Sequence, residues 1–179
     1  RLAAEAGVAI GALYNHFASK EAIYAAATTR VFANHTRPPA NILRPEDTLE
    51  ANLARLVGWF VKPMVEDKNF GLLLKREMLD PRPSTPHFTN LFQESLAMFQ
   101  ALVRQIEPKA NVDEATASML ALIFGFSHLK GIYSLFPTVQ KTVDTPDEIA
   151  EYATRWLLHG LRSDVARGAA TSRKRKANK

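Results

Sequence analysis

Apolar residues recur along most of the chain at spacings of three and four, the period of an amphipathic helix. No stretch alternates apolar and polar residues as a half-buried strand would. The spacing predicts a helix end over Ala3–Gly7, with Gly7 suited to the left-handed backbone that stops a helix. A short helix follows from Ile10 to His16. Ser19 caps a third, Lys20 to Asn34, in which Ile23, Ala26, Ala27, Arg30 and Val31 keep helical spacing. The segment Thr36-Arg37-Pro38-Pro39-Ala40-Asn41 then breaks the pattern and marks a domain boundary.

Longer helices are predicted beyond it. Pro45 stands as the first-turn proline of a helix through Leu49, Leu53, Leu56, Val57 and Phe60, and Pro63 is expected to kink or end it. Phe70–Leu79 forms the next, stopped before Asp80-Pro81-Arg82-Pro83. Pro86 opens a helix with the buried stripe Phe88, Leu91, Phe92, Phe99, Leu102, Val103 and Ile106, and Pro108 follows it. Val112–Phe136 reads as one long apolar helix containing Gly125 and Gly131. Thr145-Pro146-Asp147-Glu148 is a capping box that starts the last helix, which carries Ile149, Tyr152, Ala153, Trp156, Leu157, Gly160 and Leu161. The fold class is therefore all-α, with roughly eight helices.

Charge changes this picture only locally. The formal net charge is +5, but Arg162–Lys179 alone holds seven Lys or Arg against one Asp, and the remainder is close to neutral. Residues 166–179 are expected to form a basic, disordered tail. With no cysteine, thiolate metal sites and cysteine nucleophiles are excluded. The longest apolar run, Met119–Phe126, is far short of the ~20 residues that cross a bilayer. No basic-then-apolar leader opens the chain, so a cytoplasmic protein without membrane contact is expected. The five histidines, His16, His35, His87, His128 and His159, form no i, i+4 pair. Neither a phosphate-cradling glycine loop nor a nucleophile elbow is present. The sequence therefore points to no enzyme, no metal and no cofactor.

The chemistry lies in the first 21 residues. Ala3 is small where two helices must touch, Gly7 makes the turn and Val8 plugs the corner, while Leu13 and Phe17 face inward at i and i+4. That leaves Ile10, Gly11, Ala12, Tyr14, Asn15 and His16 facing outward. An exposed stripe with a phenol, an amide and an imidazole but few charges is not an ordinary solvated face.

Leu2-Ala3, Ala6-Gly7-Val8, Gly11, Leu13-Tyr14, His16-Phe17 and Ser19-Lys20-Glu21 stand in the register of a known motif. The segment resembles the helix-turn-helix of the TetR family of transcriptional regulators. The resemblance implies that Gly11 admits the DNA backbone, that Tyr14, His16 and Lys20 contact phosphates, and that Ile10, Ala12 and Asn15 face base edges. Asn can read adenine, and Ala12 can touch only a thymine methyl. Ala9 stands where the family usually has a serine, which removes a cap and a phosphate contact; uncharged Ile10 replaces a frequent Lys or Arg. The resemblance also implies a first helix ahead of Arg1.

On this reading residues 1–35 are the remainder of the DNA-binding head, and residues 42–165 form a larger helical domain for effector binding and dimerisation. Trp59, Phe60, Met64, Phe70, Met78, Phe88, Phe92, Met98, Phe99 and Phe126 are available to line a cavity for an apolar or aromatic small molecule. Arg76-Glu77 and His128, on otherwise apolar helices, either orient that effector or satisfy each other. A homodimer is expected through residues 112–136 and 146–162. The function implied is that of a regulator, a repressor released from a double-stranded operator by the effector. The alternative is a helical ligand-binding or interaction protein with a vestigial DNA-binding head.

Overall fold

The computed structural model describes residues 7, 9–33, 35, 37–79 and 92–177. Among these there are nine helices and no strand: α1 Ile10–His16, α2 Lys20–Ala33, α3 Leu49–Glu66, α4 Lys68–Leu79, α5 Gln93–Ile106, α6 Val112–His128, α7 Lys130–Tyr133, α8 Pro137–Thr142 and α9 Pro146–Ala177. The start of the helix expected from Pro86, with Phe88 and Leu91, lies outside the described residues, as does the helix end over 3–6.

The core is organised around α3. One face carries Leu53, Leu56, Val57, Val61 and Met64, all buried, at the spacing of a helix stripe. The last helix α9 packs along α3 through Ile149, Ala150, Ala153 and Leu157, and α5 and α6 cover the other side with Phe99, Leu102, Val103, Met119 and Ile123. The pair α3/α9 is antiparallel: a Cβ at Gly58 would lie 3.5 Å from Ala150 Cβ, while Arg162 reaches Glu50 at 3.1 Å.

Helix α3 begins at Leu49 rather than near Pro45, because Thr48 is its cap: Ala51 N–H donates to Thr48 Oγ1 at 3.1 Å. Pro45 sits instead in the loop before it. That loop is held by buried Asn52, whose amide both accepts from and donates to the Arg44 backbone at 2.8 Å. Arg55 adds bonds to Asn52 Oδ1 at 2.6 Å and to the Ile42 carbonyl at 3.2 Å, and pairs with Asp47. Pro63 does not end α3, which runs on to Glu66. It stands within the last turn, where its missing N–H leaves only one carbonyl, that of Trp59, without a helix partner.

Asp67 makes the corner that follows. Its backbone N–H closes α3 on Pro63 O at 3.0 Å, and its carboxylate caps α4 by accepting from Asn69 and Phe70 at 2.9 and 3.0 Å. The Phe70 amide, more than the nearby His35, holds this carboxyl below its ordinary range. A single connecting residue brings the two helices into close contact. A Cβ on Gly71 would stand 2.9 Å from Met64 O, so only glycine fits there without movement of backbone.

Two expectations about the C-terminal half are corrected. Val112–Phe136 is not one helix: α6 closes at His128, with Leu129 N–H bonded to Gly125 O at 3.0 Å, and α7 and α8 are short and separate. The apolar run continues through the break, so hydrophobicity alone hides it. The tail is helical rather than disordered, since α9 continues to Ala177. Its alanines and unbranched basic residues are strong helix formers, and cations are favoured at a helix C-terminus. At its other end α9 starts as expected, Glu148 N–H donating to Thr145 Oγ1 at 3.3 Å and Thr145 N–H to Glu148 Oε2 at 2.9 Å.

The Asp67 corner yields a signed pH dependence. A carboxyl lowered in the folded state contributes stability above its ordinary value of 3.8 and loses it as pH falls through the lowered value. Asp67→Ala is expected to cost about 1 kcal/mol at pH 7, the worth of a lost helix cap. In thermal unfolding followed from pH 7 to pH 2.5, the gap between parent and variant should narrow over the acidic end. A gap that stays constant contradicts the capping role.

Candidate nucleic-acid interface

Helix α1 is seven residues long and follows Gly7, whose φ of 67° lies in the left-handed region that glycine tolerates and other residues resist. That turn sets the angle at which α1 leaves the preceding segment. Ala9, which precedes α1, has no side-chain acceptor with which to cap it. The first turn is closed only by backbone, Ala12 N–H to Ala9 O at 3.0 Å, as alanine at position 9 requires.

Gly11, Ala12, Tyr14, Asn15 and His16 are all exposed, Tyr14 at 54%, and Phe17 turns inward and is half-buried. Ala9 is exposed in the turn; Ile10 opens the helix, and its side chain, like that of Leu13, lies outside those described. His16 stands in the last turn, the end where the helix dipole favours a cation. Two residues on, Ser19 caps α2 by accepting from Ala22 N–H at 3.2 Å, which leaves exposed Lys20 as the first residue of that helix. Glu21, in the same turn, is held below its ordinary range by backbone and Ser19 hydrogen bonds. The result is a short helix presenting a small, uncharged stripe, with Tyr14, His16 and Lys20 carrying its donors. Such a stripe admits a groove edge, and donors beside it can meet phosphate oxygens.

Helix α2 ties this unit to the rest of the molecule. Phe32 is wholly buried, edge-on to Phe70 at 5.1 Å and to Phe92 at 6.0 Å. His35 lies edge-on to Phe70 at 4.9 Å and pairs with Asp67 at 3.2 Å. Nearer the head, Tyr24 donates to Glu77 Oε1 at 2.7 Å while the Arg76 guanidinium lies 4.6 Å from the centre of the Tyr24 ring. Burial, and then the bond to Glu77, raises the Tyr24 phenol above its ordinary range.

The residues expected to line an effector cavity are divided by the fold. Phe60 and Phe99 line a small apolar cleft between α3, α5 and α6, with Leu56, Leu96, Met119 and Ile123. Its volume is about 30 Å3, well below the ~300 Å3 where ligand pockets begin. Its two wall hydroxyls are engaged, Ser95 with Phe92 O at 3.0 Å and Thr116 with Val112 O at 2.7 Å. Phe92 backs the cleft through Phe60 at 5.4 Å. Met64 and Phe70 are buried in the core, and Met98 packs against it. Trp59 packs beside Phe60 at 6.2 Å but lines outer grooves.

Five of the expected residues are elsewhere. Met78 is 49% exposed, because the inward stripe of α4 is Phe70, Leu74 and Glu77. Arg76 and Glu77 address Tyr24, a partner that no local spacing reveals. Phe126 packs on Tyr133 and Tyr152 at 5.5 and 5.0 Å, and His128 bonds back to Phe124 O at 3.2 Å within its own helix. Phe88 lies outside the described residues.

Among the described residues no cluster of His, Asp or Glu could hold a metal ion, and no helix is long and apolar enough to cross a membrane. No curated protein and no solved structure matches the chain. Residues 1–27 match the family model for bacterial regulatory proteins of the tetR family, a stretch that takes in the Gly7 turn, the whole of α1 and the first turns of α2. The match covers this segment alone and supports a helix-turn-helix of the kind found in TetR-family DNA-binding regulators within it.

Proposed function

We propose that the protein is a repressor that binds a double-stranded operator as a homodimer and is released by an apolar or aromatic small molecule, acting in the cytoplasm. Residues 1–35 serve as the reading head and residues 42–165 as the sensor. The observation that carries the reading is the stripe on α1. Exposed Ala12 and Asn15, together with Ile10, suit base edges; exposed Gly11 admits the DNA backbone; Tyr14, His16 and Lys20 suit phosphates; Ala9 stands at the entry to the helix.

Release is supported by the rings between the cleft and the head. Phe60 lines the cleft and touches Phe92, and Phe92 touches Phe32 on the last turn of α2. An occupant that displaces Phe60 therefore strains the seat of the helix that carries the head, and shifts the population between two spacings of the recognition helices. With Ser95 and Thr116 already bonded, the cleft offers an occupant few polar partners. An apolar compound fits best, and it must enlarge the space to enter.

Dimerisation is supported by exposed apolar side chains on one side of the sensor. Leu129, Ile132, Leu135 and Phe136 are exposed beyond α6, and Trp156 is 51% exposed on α9. Ala117 and Ala121 on α6 are exposed and small, and nothing lies within 4 Å of a Cβ built at Gly160, so a second helix can approach closely.

Light scattering on the 179-residue chain should give about twice its 19.9 kDa mass, and Trp156→Glu should shift it toward the monomer; a parent that is monomeric at micromolar concentration removes the dimer. On DNA flanking its own gene, the full-length protein should lower transcription in vitro. Lys20→Ala should weaken specific and non-specific binding alike and reduce the salt slope by roughly one ion. Asn15→Ala should instead relax preference at one base pair, a loss of about 1–3 kcal/mol in discrimination. Equal loss on all sequences from Asn15→Ala contradicts its place at base edges. Phe99→Ala should cost roughly 3–5 kcal/mol of stability by enlarging the cleft. In a thermal-shift screen, compounds that raise the melting temperature should also loosen DNA; compounds that stabilise the protein and leave DNA affinity unchanged argue against release through this cleft.

A further inference from the structure

The basic run at the end of the chain is the one strongly charged feature that the head and sensor do not use. From Arg162 to Lys179 the net charge is +6, while the other residues together carry −1. The run is part of α9, which continues unbroken to Ala177.

Its position follows from the helices it extends. The head's α2 meets the sensor through α4, which leaves the C-terminal end of α3 at Asp67. The root of the tail is at the opposite end of α3, where Arg162 is held by Glu50 at 3.1 Å. The 18 residues of α3 separate these two ends by about 27 Å at helical rise. Residues 163–177 of α9 carry the backbone onward from Arg162 by about 22 Å more. The charge is therefore delivered beyond the N-terminal end of α3.

We propose that the helical basic tail, Arg162–Ala177, is a second, sequence-independent binding site for duplex DNA, separate in the chain from the head and able to hold a segment of its own. Charge complementarity selects the occupant, since four consecutive basic residues, Arg173–Lys176, suit a phosphate backbone approached from several sides. A lipid surface is less suited: after Leu161 the only sizeable apolar side chain is Val165, so the helix has no apolar face to bury in a bilayer. Simultaneous binding of two segments rests on the proposed DNA-binding head; the tail's own affinity does not.

The test uses the full-length protein, a variant with Arg173, Lys174, Arg175 and Lys176 all replaced by alanine, which preserves helix propensity, and a Tyr14→Ala/Lys20→Ala head variant. Binding to a 20-bp duplex of arbitrary sequence is measured by anisotropy between 50 and 200 mM KCl. The tail variant should bind roughly tenfold or more weakly than the parent at 100 mM, with a salt slope smaller by about three to four. The head variant should also bind the arbitrary duplex more weakly, but with a salt slope smaller by only about one, less than the loss in the tail variant. In a second arm, parent protein held on a bead-bound fragment of the DNA flanking its gene should capture a labelled 20-bp duplex, and the tail variant should stay on the bead without capturing it. A tail variant with the parent's affinity and slope, or capture that persists without the four charges, overturns the proposal. So does a tail that binds phosphatidylserine vesicles or single-stranded RNA in preference to duplex DNA. If nothing binds the flanking fragment specifically while arbitrary-duplex binding still depends on the tail, the head reading fails and the tail site stands.

Discussion

Phe32 lies on the last turn of a helix that begins beside the exposed stripe of α1, yet its ring is wholly buried among rings of the larger helical part. Burying a phenylalanine removes enough apolar surface from water to be worth roughly 1.5–3 kcal/mol, so the two parts of the chain are joined by core packing rather than by a tether. Tyr24, two turns earlier, adds a directional bond to Glu77. Between them they fix both the position and the rotation of α2, and through it the direction in which α1 is presented. Most else in the molecule supports that seat. Asp67 sets the corner that places Phe70, α3 carries Phe60 against Phe92, and α9 clamps α3 from the other side.

On the proposed function, the same arrangement gives a change in the cleft a route to the short helices of the head. The cleft holds only about 30 Å3, and protein interiors transmit small displacements because they are close-packed. One ring separates the cleft-lining Phe60 from Phe32. The polar contacts at the junction, Tyr24 with Glu77 and His35 with Asp67, are few and partly exposed, so the seat can shift without unfolding the core.

Much of this was legible in the sequence where the cause is local. The left-handed Gly7, the Ser19 cap, the Thr145 capping box and the outward Tyr14-Asn15-His16 run depend on residues within four positions of one another, and local spacing reveals them. The stripes of α3 and α5 follow from period alone. What sequence could not supply is long-range. Arg76 and Glu77 stand out as charges on an apolar helix, but their partner Tyr24 is more than fifty residues away. Phe126 and His128 look like cavity residues until the break at Leu129 folds Tyr133 back and leaves them on another face. Thr48 and Pro45 both suit a helix start, and only the Arg44–Asn52 clasp, which needs the loop's three-dimensional course, decides between them. The charged tail reads as a solvated end because charge patterning carries no information about whether the preceding helix continues.

The central claim is that a two-fold pair of α1 stripes reads DNA. Selection of bound sequences from a random duplex library by the full-length protein tests it most directly. The account predicts enrichment of an inverted repeat, with preference concentrated at the few base pairs in each half that the stripe can reach. Enrichment of no sequence, or of a single site without two-fold symmetry, would contradict it.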